Sequence, residues 1–177
     1  MLSAGIHRNY NFGVKRLEAH KAVSLVARGV AATGTEARCA FFTAPAQDFL
    51  NHPELGEEVF GPSAIVVVCR DLAELHQVLH SIEGQLTATL HLEAEDHALA
   101  AALLPALELR AGRIIVNGWP TGVEVSPAMV HGGPYPATSD SRSTSVGTLA
   151  IERFLRPVCY QDFPADLLPD ELKAARK

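Results

Sequence analysis

The stretch "SAIVVVCRDLAELHQVLHSIEGQLTATLHL", Ser63 to Leu92, decides the fold class, because its hydrophobic period changes twice. "SAIVVVCR" is a short β-branched run, the pattern of a strand covered on both faces. Asp71 then stands where a helix cap is needed, with Glu74 three residues on in the reciprocal position of a capping box. "LAELHQVLHSI" repeats its leucines, valine and isoleucine at helical spacing, and Gly84 is a natural stop. "LTATLHL" returns to strand. The alternation continues: Asp96 can open a second helix, "HALAAALLPALEL", which Pro105 should kink or end, and "RIIVN" follows as a third strand. Strand, helix, strand, helix, strand predicts crossover connections and a parallel sheet, so the chain is read as α/β.

Outward from this core the pattern is less regular. "HRNYNFGVKRLEAH" reads as helical in its second half. "AVSLVARG" and "ARCAFFTAP" read as two strands separated by the loop "VAATGTE", and "AQDFLNHPEL" as a short helix or turn. Glu57 and Glu58 then sit just before an aromatic residue, a glycine and a proline, an unusual way to enter a buried strand. After Asn117 the chain becomes rich in Gly, Pro, Ser and Thr, which predicts a functional loop or a disordered segment. Its Trp119, Val123, Val125, Met129 and Tyr135 predict that it packs on something. "LAIERFLRPVCYQ" reads as part helix and part extended chain, and "LLPDELKAARK" as a polar surface tail.

The 177 residues suit one domain with a real core, at 47% hydrophobic and 20% charged. A net charge of −5 with scattered basic residues argues against nucleic acid or an anionic membrane as partner. Cys39, Cys69 and Cys159 lack metal-ligand spacing, and Cys39 and Cys69 read as small buried thiols. No segment has the form of a leader or a membrane span, so a cytoplasmic location is expected. No P-loop, Gly-rich dinucleotide fingerprint, G-x-S-x-G elbow or H-E-x-x-H motif occurs. His76 and His80 lie four apart without a third ligand, which reads as a solvated helix face, and no metal site is expected. "HGGPYP" needs its glycines for a turn or a close approach, and Arg142 in "TSDSRSTS" is the cation that could hold a carboxylate.

In order along the chain, "EVFGP" (58–62), "GQLTATLHL" (84–92), "AGRIIVNG" (111–118), "HGG" (131–133) and "STSVG" (143–147) resemble the motif series of the C-terminal part of the aldehyde dehydrogenase catalytic domain. Each is weak alone; five in sequence are specific. The wording from Val116 to Gly147, with "MLSAGI" and "FLRPVCYQDFP", further resembles the branch that oxidises 2-oxoglutarate semialdehyde. The loop after the double glycine departs from the wider family, lacking its usual lysine.

The resemblance implies a three-layer αβα parallel sheet over residues 1–150 and an extended C-terminal oligomerisation arm over 151–177. It implies NAD or NADP in the complete enzyme, with Glu58 accepting hydrogen bonds from the ribose hydroxyls on the nicotinamide side and Phe60 packing beside the nicotinamide. Glu57 has no such role and is expected to face solvent. Trp119 and Val123 are candidate walls of the substrate funnel, and Arg142 a candidate partner for a charged aldehyde. The family's chemistry uses a cysteine nucleophile, a general-base glutamate and an oxyanion-stabilising asparagine. All three are expected upstream of this chain, so the chain alone is expected to be inactive, to bind no cofactor tightly and to self-associate through uncovered surfaces. The complete enzyme would act on a small aldehyde as a homo-oligomer. The rival reading is a stand-alone, non-catalytic assembly or binding module with the same fold.

Overall fold

The computed structural model describes residues 1–31 and 33–173. It opens with helix α1 (Ala4–Glu18), capped by the Ser3 hydroxyl, which accepts from the Ile6 amide at 3.2 Å. The helix therefore takes in the whole "HRNYNFGVKRLE" segment and not only its second half. Tyr10, Val14 and Leu17 recur at i, i+4 and i+7 and are buried on one face.

Strand β1 (Ser24–Arg28) pairs antiparallel with β2 (Ala40–Pro45), which pairs parallel with β3 (Ser63–Val68). The β2–β3 crossover contains helix α2 (Ala46–Asn51) and a 3₁₀ turn (Pro53–Gly56). The reading of 30–36 as a loop includes residue 32, which lies outside the described residues. Helix α3 (Leu72–Ser81) leads to β4 (Gln85–Leu90), and α4 (His97–Glu108) leads to β5 (Ala111–Val116), parallel to β4. The main core joins Tyr10, Val14, Leu17, Phe42, Phe49, Leu55 and Val78.

The chain is thus mixed α/β, with the expected helices and strands in the expected order. The strands do not form one sheet. The order is β1-β2-β3 in one sheet and β4-β5 in another, so β3 and β4 are edge strands. Correspondingly, β3 is not covered on both faces: Ile65 and Val67 turn toward the core, while Val66 and Val68 are 42% and 56% exposed. β-branched composition reports that a strand is buried somewhere; it does not report whether its neighbours belong to the same chain.

Other local expectations are corrected. α4 runs through Pro105, because Leu103, Ala106 and Leu107 on either side of the proline are buried and hold the helix down. Gly84 does not terminate α3, which ends at Ser81; it serves a close approach described below. Cys39 is exposed and Cys69 half-buried. Burial, with help from the Glu74 and Asp71 carboxylates, pushes the Cys69 thiol up. After β5, residues 117–147 contain no helix or strand, and Trp119, Val125 and Tyr135 stand exposed rather than packed. A 3₁₀ segment (Thr148–Phe154), extended chain and a short helix α5 (Asp170–Lys173) follow. The end of the polar tail, 174–177, lies outside the described residues. Among the described residues no helix is long and apolar enough to cross a membrane.

The cap of α3 is half as expected. The Asp71 carboxylate accepts from the Glu74 amide at 2.8 Å, but Glu74 turns to Arg70 instead of the cap amide. Its carboxylate accepts from the Arg70 amide at 2.7 Å and from the guanidinium at 3.0 Å, although Glu74 itself is buried. The Arg70 side chain, and then its amide, hold Glu74 below the ordinary carboxylate range. A carboxylate lowered in the folded state stabilises the fold above its unfolded pKa of about 4.3, and that contribution is lost as pH falls through the folded value. Glu74→Gln should therefore melt lower at neutral pH and show a shallower acid-side decline in thermal melts. Parallel decline in both proteins would contradict this coupling.

Candidate functional site

The turn Glu58–Pro62 joins the 3₁₀ turn to β3, and α1 is the element that shapes it. The Tyr10 ring is buried, and its hydroxyl donates to the carbonyls of Arg38 at 2.8 Å and Pro62 at 3.1 Å. Gly61 has φ 154°, and a Cβ there would run into the Tyr10 ring. One turn further along the helix, Gly13 leaves room for Val59; a Cβ on it would lie 2.8 Å from the Val59 Cγ1. Tyr10 and Gly13 were missed in the sequence. Their i, i+3 placement on the apolar face of α1 was the available signal, but it does not say what the face meets.

With Val59 drawn inward, Glu58 and Phe60 on either side of it are left exposed, Phe60 to 66%. Among the described residues no hydrogen bond engages the Glu58 carboxylate. Glu57 is exposed as expected, yet it is held, by a 2.8 Å ion pair with Arg16 of α1. The two neighbouring acids are therefore distinct: one is tied to the scaffold, the other is free to accept.

Glu58 and Phe60 line a cleft of about 1120 Å³. One wall is β3, through Ser63 to Val67; the other is β4, through Gln85 to Thr87, with Pro136 and Ala137 at the rim. Both free strand edges thus face the same space. The rim is set by backbone approach: a Cβ at Gly84 would strike the Pro134 carbonyl, and one at Gly112 the Gly132 carbonyl. The His131 amide in turn donates to the Thr144 hydroxyl at 2.8 Å, and the Ser145 amide to the His131 carbonyl at 3.1 Å. The sequence motifs at 84–92, 111–118, 131–133 and 143–147 therefore meet one another in space, and the first of them lines the cleft beside Glu58.

The other candidate residues lie apart from that cleft. Trp119 and Val123 follow the C-terminal end of β5, 77% and 44% exposed, and neither lines the cleft. The Trp119 ring is 5.3 Å from that of His91. Arg142 is exposed on its loop and paired with Asp140 at 3.2 Å. The Arg142 amide, then its guanidinium, hold the Asp140 carboxyl below its ordinary value. The rings of His76 and His80 stack at 6.4 Å, and among the described residues no third ligand joins them.

A grouping that sequence spacing could not reveal is His20, His52 and Glu54, whose ligand atoms all lie within 4.8 Å. His20 Nε2 and His52 Nδ1 lie 3.2 and 3.4 Å from the same Glu54 oxygen. The Ala22 amide, however, donates to His20 Nδ1 at 3.2 Å. That bond leaves the proton of a neutral imidazole on Nε2, aimed at Glu54, whereas a metal-bound histidine donates its second nitrogen outward. The trio is a hydrogen-bonded clamp between the end of α1 and the 3₁₀ turn. The Glu54 amide, and then His20, lower the Glu54 carboxyl.

No family model matches the chain. Among curated proteins, it is 55% identical over 174 residues to alpha-ketoglutaric semialdehyde dehydrogenase 2 of Azospirillum brasilense, covering 98% of this chain and 33% of that protein. It is 49% identical over 175 residues to the alpha-ketoglutaric semialdehyde dehydrogenase of Acinetobacter baylyi, with the same coverages. Among solved structures, betaine aldehyde dehydrogenase from Staphylococcus aureus, in complex with NAD+, superposes with a TM-score of 0.66 at 14% identity, covering 87% of this chain and 30% of that one. The chain spans about a third of the length of the curated relatives it matches.

The packing of α1 on the turn makes a direct test. Tyr10→Phe removes one hydroxyl shared by two carbonyls and should cost about 1 kcal/mol. Gly61→Ala combines a strained backbone with a clash and should cost at least about 2 kcal/mol. Urea denaturation reads both; equal midpoints for wild type and Gly61→Ala would show that the turn does not depend on this contact.

Proposed function

Because the chain belongs to the aldehyde dehydrogenase superfamily, we propose that it supplies the C-terminal part of an enzyme that oxidises 2-oxoglutarate semialdehyde to 2-oxoglutarate with NAD or NADP. The observation that carries this reading is the identity of 55% and 49%, spread over 98% of the chain, to two enzymes named for that aldehyde. The site agrees with it. An ionised carboxylate with unused acceptor positions suits a pair of vicinal ribose hydroxyls, and Glu58 is such a carboxylate. An exposed aromatic face two residues away suits a planar heterocycle, and Phe60 supplies one. When bound, the cofactor supplies the hydride acceptor.

Within this reading each residue of the chain has a bounded task. Glu58 holds the ribose and Phe60 limits the movement of the ring next to it. Arg16 keeps Glu57 out of that work, and Tyr10 keeps the turn at fixed height above the core. The nucleophile, base and oxyanion donor come from the remainder of the enzyme, whose strands meet the free edges of β3 and β4. Trp119 and Val123 wall the aldehyde's approach, and Arg142 offers a cation to its carboxylate. Residues 1–150 form the catalytic-domain portion and 151–177 the arm. The exposure of Ile151, Phe154, Leu155, Val158 and Tyr160 supports an oligomerisation role for that arm. A cytoplasmic location belongs to the same reading.

The test is a chimera in which this chain replaces the matching third of the Azospirillum brasilense enzyme. The chimera should reduce NAD or NADP with 2-oxoglutarate semialdehyde, while the isolated chain should give no turnover. Turnover by the isolated chain, or an inert but folded chimera, would refute the proposal. In the active chimera, Glu58→Gln should raise the cofactor KM roughly tenfold or more, the worth of hydrogen bonds to a charged acceptor. An unchanged cofactor KM would remove Glu58 from the site.

A further inference from the structure

We propose that Arg113 is a positioning residue that fixes the loop following β5 and so sets where Trp119 and Val123 stand. Arg113 is half-buried on β5 and reaches the loop at three points. Nη1 donates to the Gly122 carbonyl at 2.7 Å, Nη2 to the Pro120 carbonyl at 3.3 Å, and Nη1 also meets the Met129 sulfur at 3.6 Å. The two carbonyls straddle the tip of the segment between Trp119 and Val123. One guanidinium therefore gathers residues 120 to 129, a stretch without helix or strand of its own.

The choice of arginine follows from geometry. Two carbonyls two residues apart need two donors in one plane, which a guanidinium provides and an ammonium does not. Arg113 Nε is buried without a partner, so a side chain kept only for packing would do better as an apolar one. The tips of the fork are what the position retains. A second anchor fixes the root of the loop: Asn117, at φ 51°, donates from its side chain to the Leu92 carbonyl at 2.8 Å and accepts from the Leu92 amide at 2.9 Å. Asn117 ties the loop to the end of β4, and Arg113 ties its far side to β5. Trp119 lies between the two anchors, against His91.

Holding the loop removes conformations that a substrate would otherwise have to freeze out on binding. This consequence for substrate rests on the reading that Trp119 and Val123 line the aldehyde's path; the positioning role itself does not.

The chain has a single tryptophan, so Trp119 reports the loop directly. Time-resolved fluorescence anisotropy of the chain should show an indole that moves with the loop in the wild type. In Arg113→Met, with circular dichroism unchanged, local indole rotation should rise about twofold or more, as expected of a loop released to nanosecond motion. Arg113→Lys should fall between, since one ammonium cannot span both carbonyls. A folded Arg113→Met with wild-type anisotropy overturns the proposal; should that variant not fold, wild-type anisotropy of Arg113→Lys overturns it equally. In the active chimera, Arg113→Lys should raise the aldehyde KM about fivefold with little change in kcat, the scale of ordering one or two side chains. Released fluorescence with an unchanged aldehyde KM would leave the positioning role standing and remove Trp119 and Val123 from the aldehyde's path.

Discussion

A β-strand carries hydrogen-bonding groups along both edges, and in this chain β3 and β4, like the outer strands β1 and β5, each use only one. The arrangement of the rest follows from that constraint. Backbone polar groups that face a buried space without partners are costly, so an open edge has to be either solvated or paired. Here residues of both strands line the same cleft without pairing with one another. The helix that joins them in sequence, α3, packs its Val78 into the main core. The valines Val66 and Val68 of β3 and Leu86 of β4 are also left exposed. On the function proposed above, the strands that fill this break belong to the remainder of the enzyme.

The cleft gives the "EVFGP" turn its meaning. Acidic residues before a buried strand are unfavourable unless their carboxylates reach water, a cation or a ligand. Both border the cleft, but Glu57 is paired with Arg16, whereas among the described residues Glu58 has no partner. Val59 beside them is seated against Gly13, and Arg16 lies on the same helix. α1 thereby fixes which carboxylate is offered. The same economy appears at β5, where Arg113 organises a loop that has few bonds of its own.

Much of this was legible in the sequence. The strands at 63–68, 85–90 and 111–116 and the intervening helices follow from period, and Asp71 caps α3 as read; Asp96 stands at the start of α4 but its carboxylate accepts from the Glu93 amide at 3.0 Å instead of capping the helix. The motif series was legible because each motif is short, contiguous and rich in residues with special backbone demands. What was not legible involves partners distant in sequence. β-branched strands carry no record of which neighbour they pair with, so the break between β3 and β4 was hidden. The contact of Tyr10 with Gly61, and the clamp of His20, His52 and Glu54, join separate elements and leave no spacing signal. Pro105 misled because a local rule about proline yields to the burial of Leu103, Ala106 and Leu107 around it. Cys39 misled because it stands just before β2, whose residues alternate between buried and exposed, and it falls on the exposed side.

On the proposed function, β3 and β4 are halves of one sheet whose middle is supplied by the remainder of the enzyme. Hydrogen–deuterium exchange measures this directly, comparing the isolated chain with the chimera that contains the upstream portion. In the isolated chain, alternate amides of β3 and β4, those directed into the cleft, should exchange without protection, and in the chimera they should become as slow as those facing β2 and β5. Uniform protection of both strands in the isolated chain, or no gain of protection in the chimera, would contradict it.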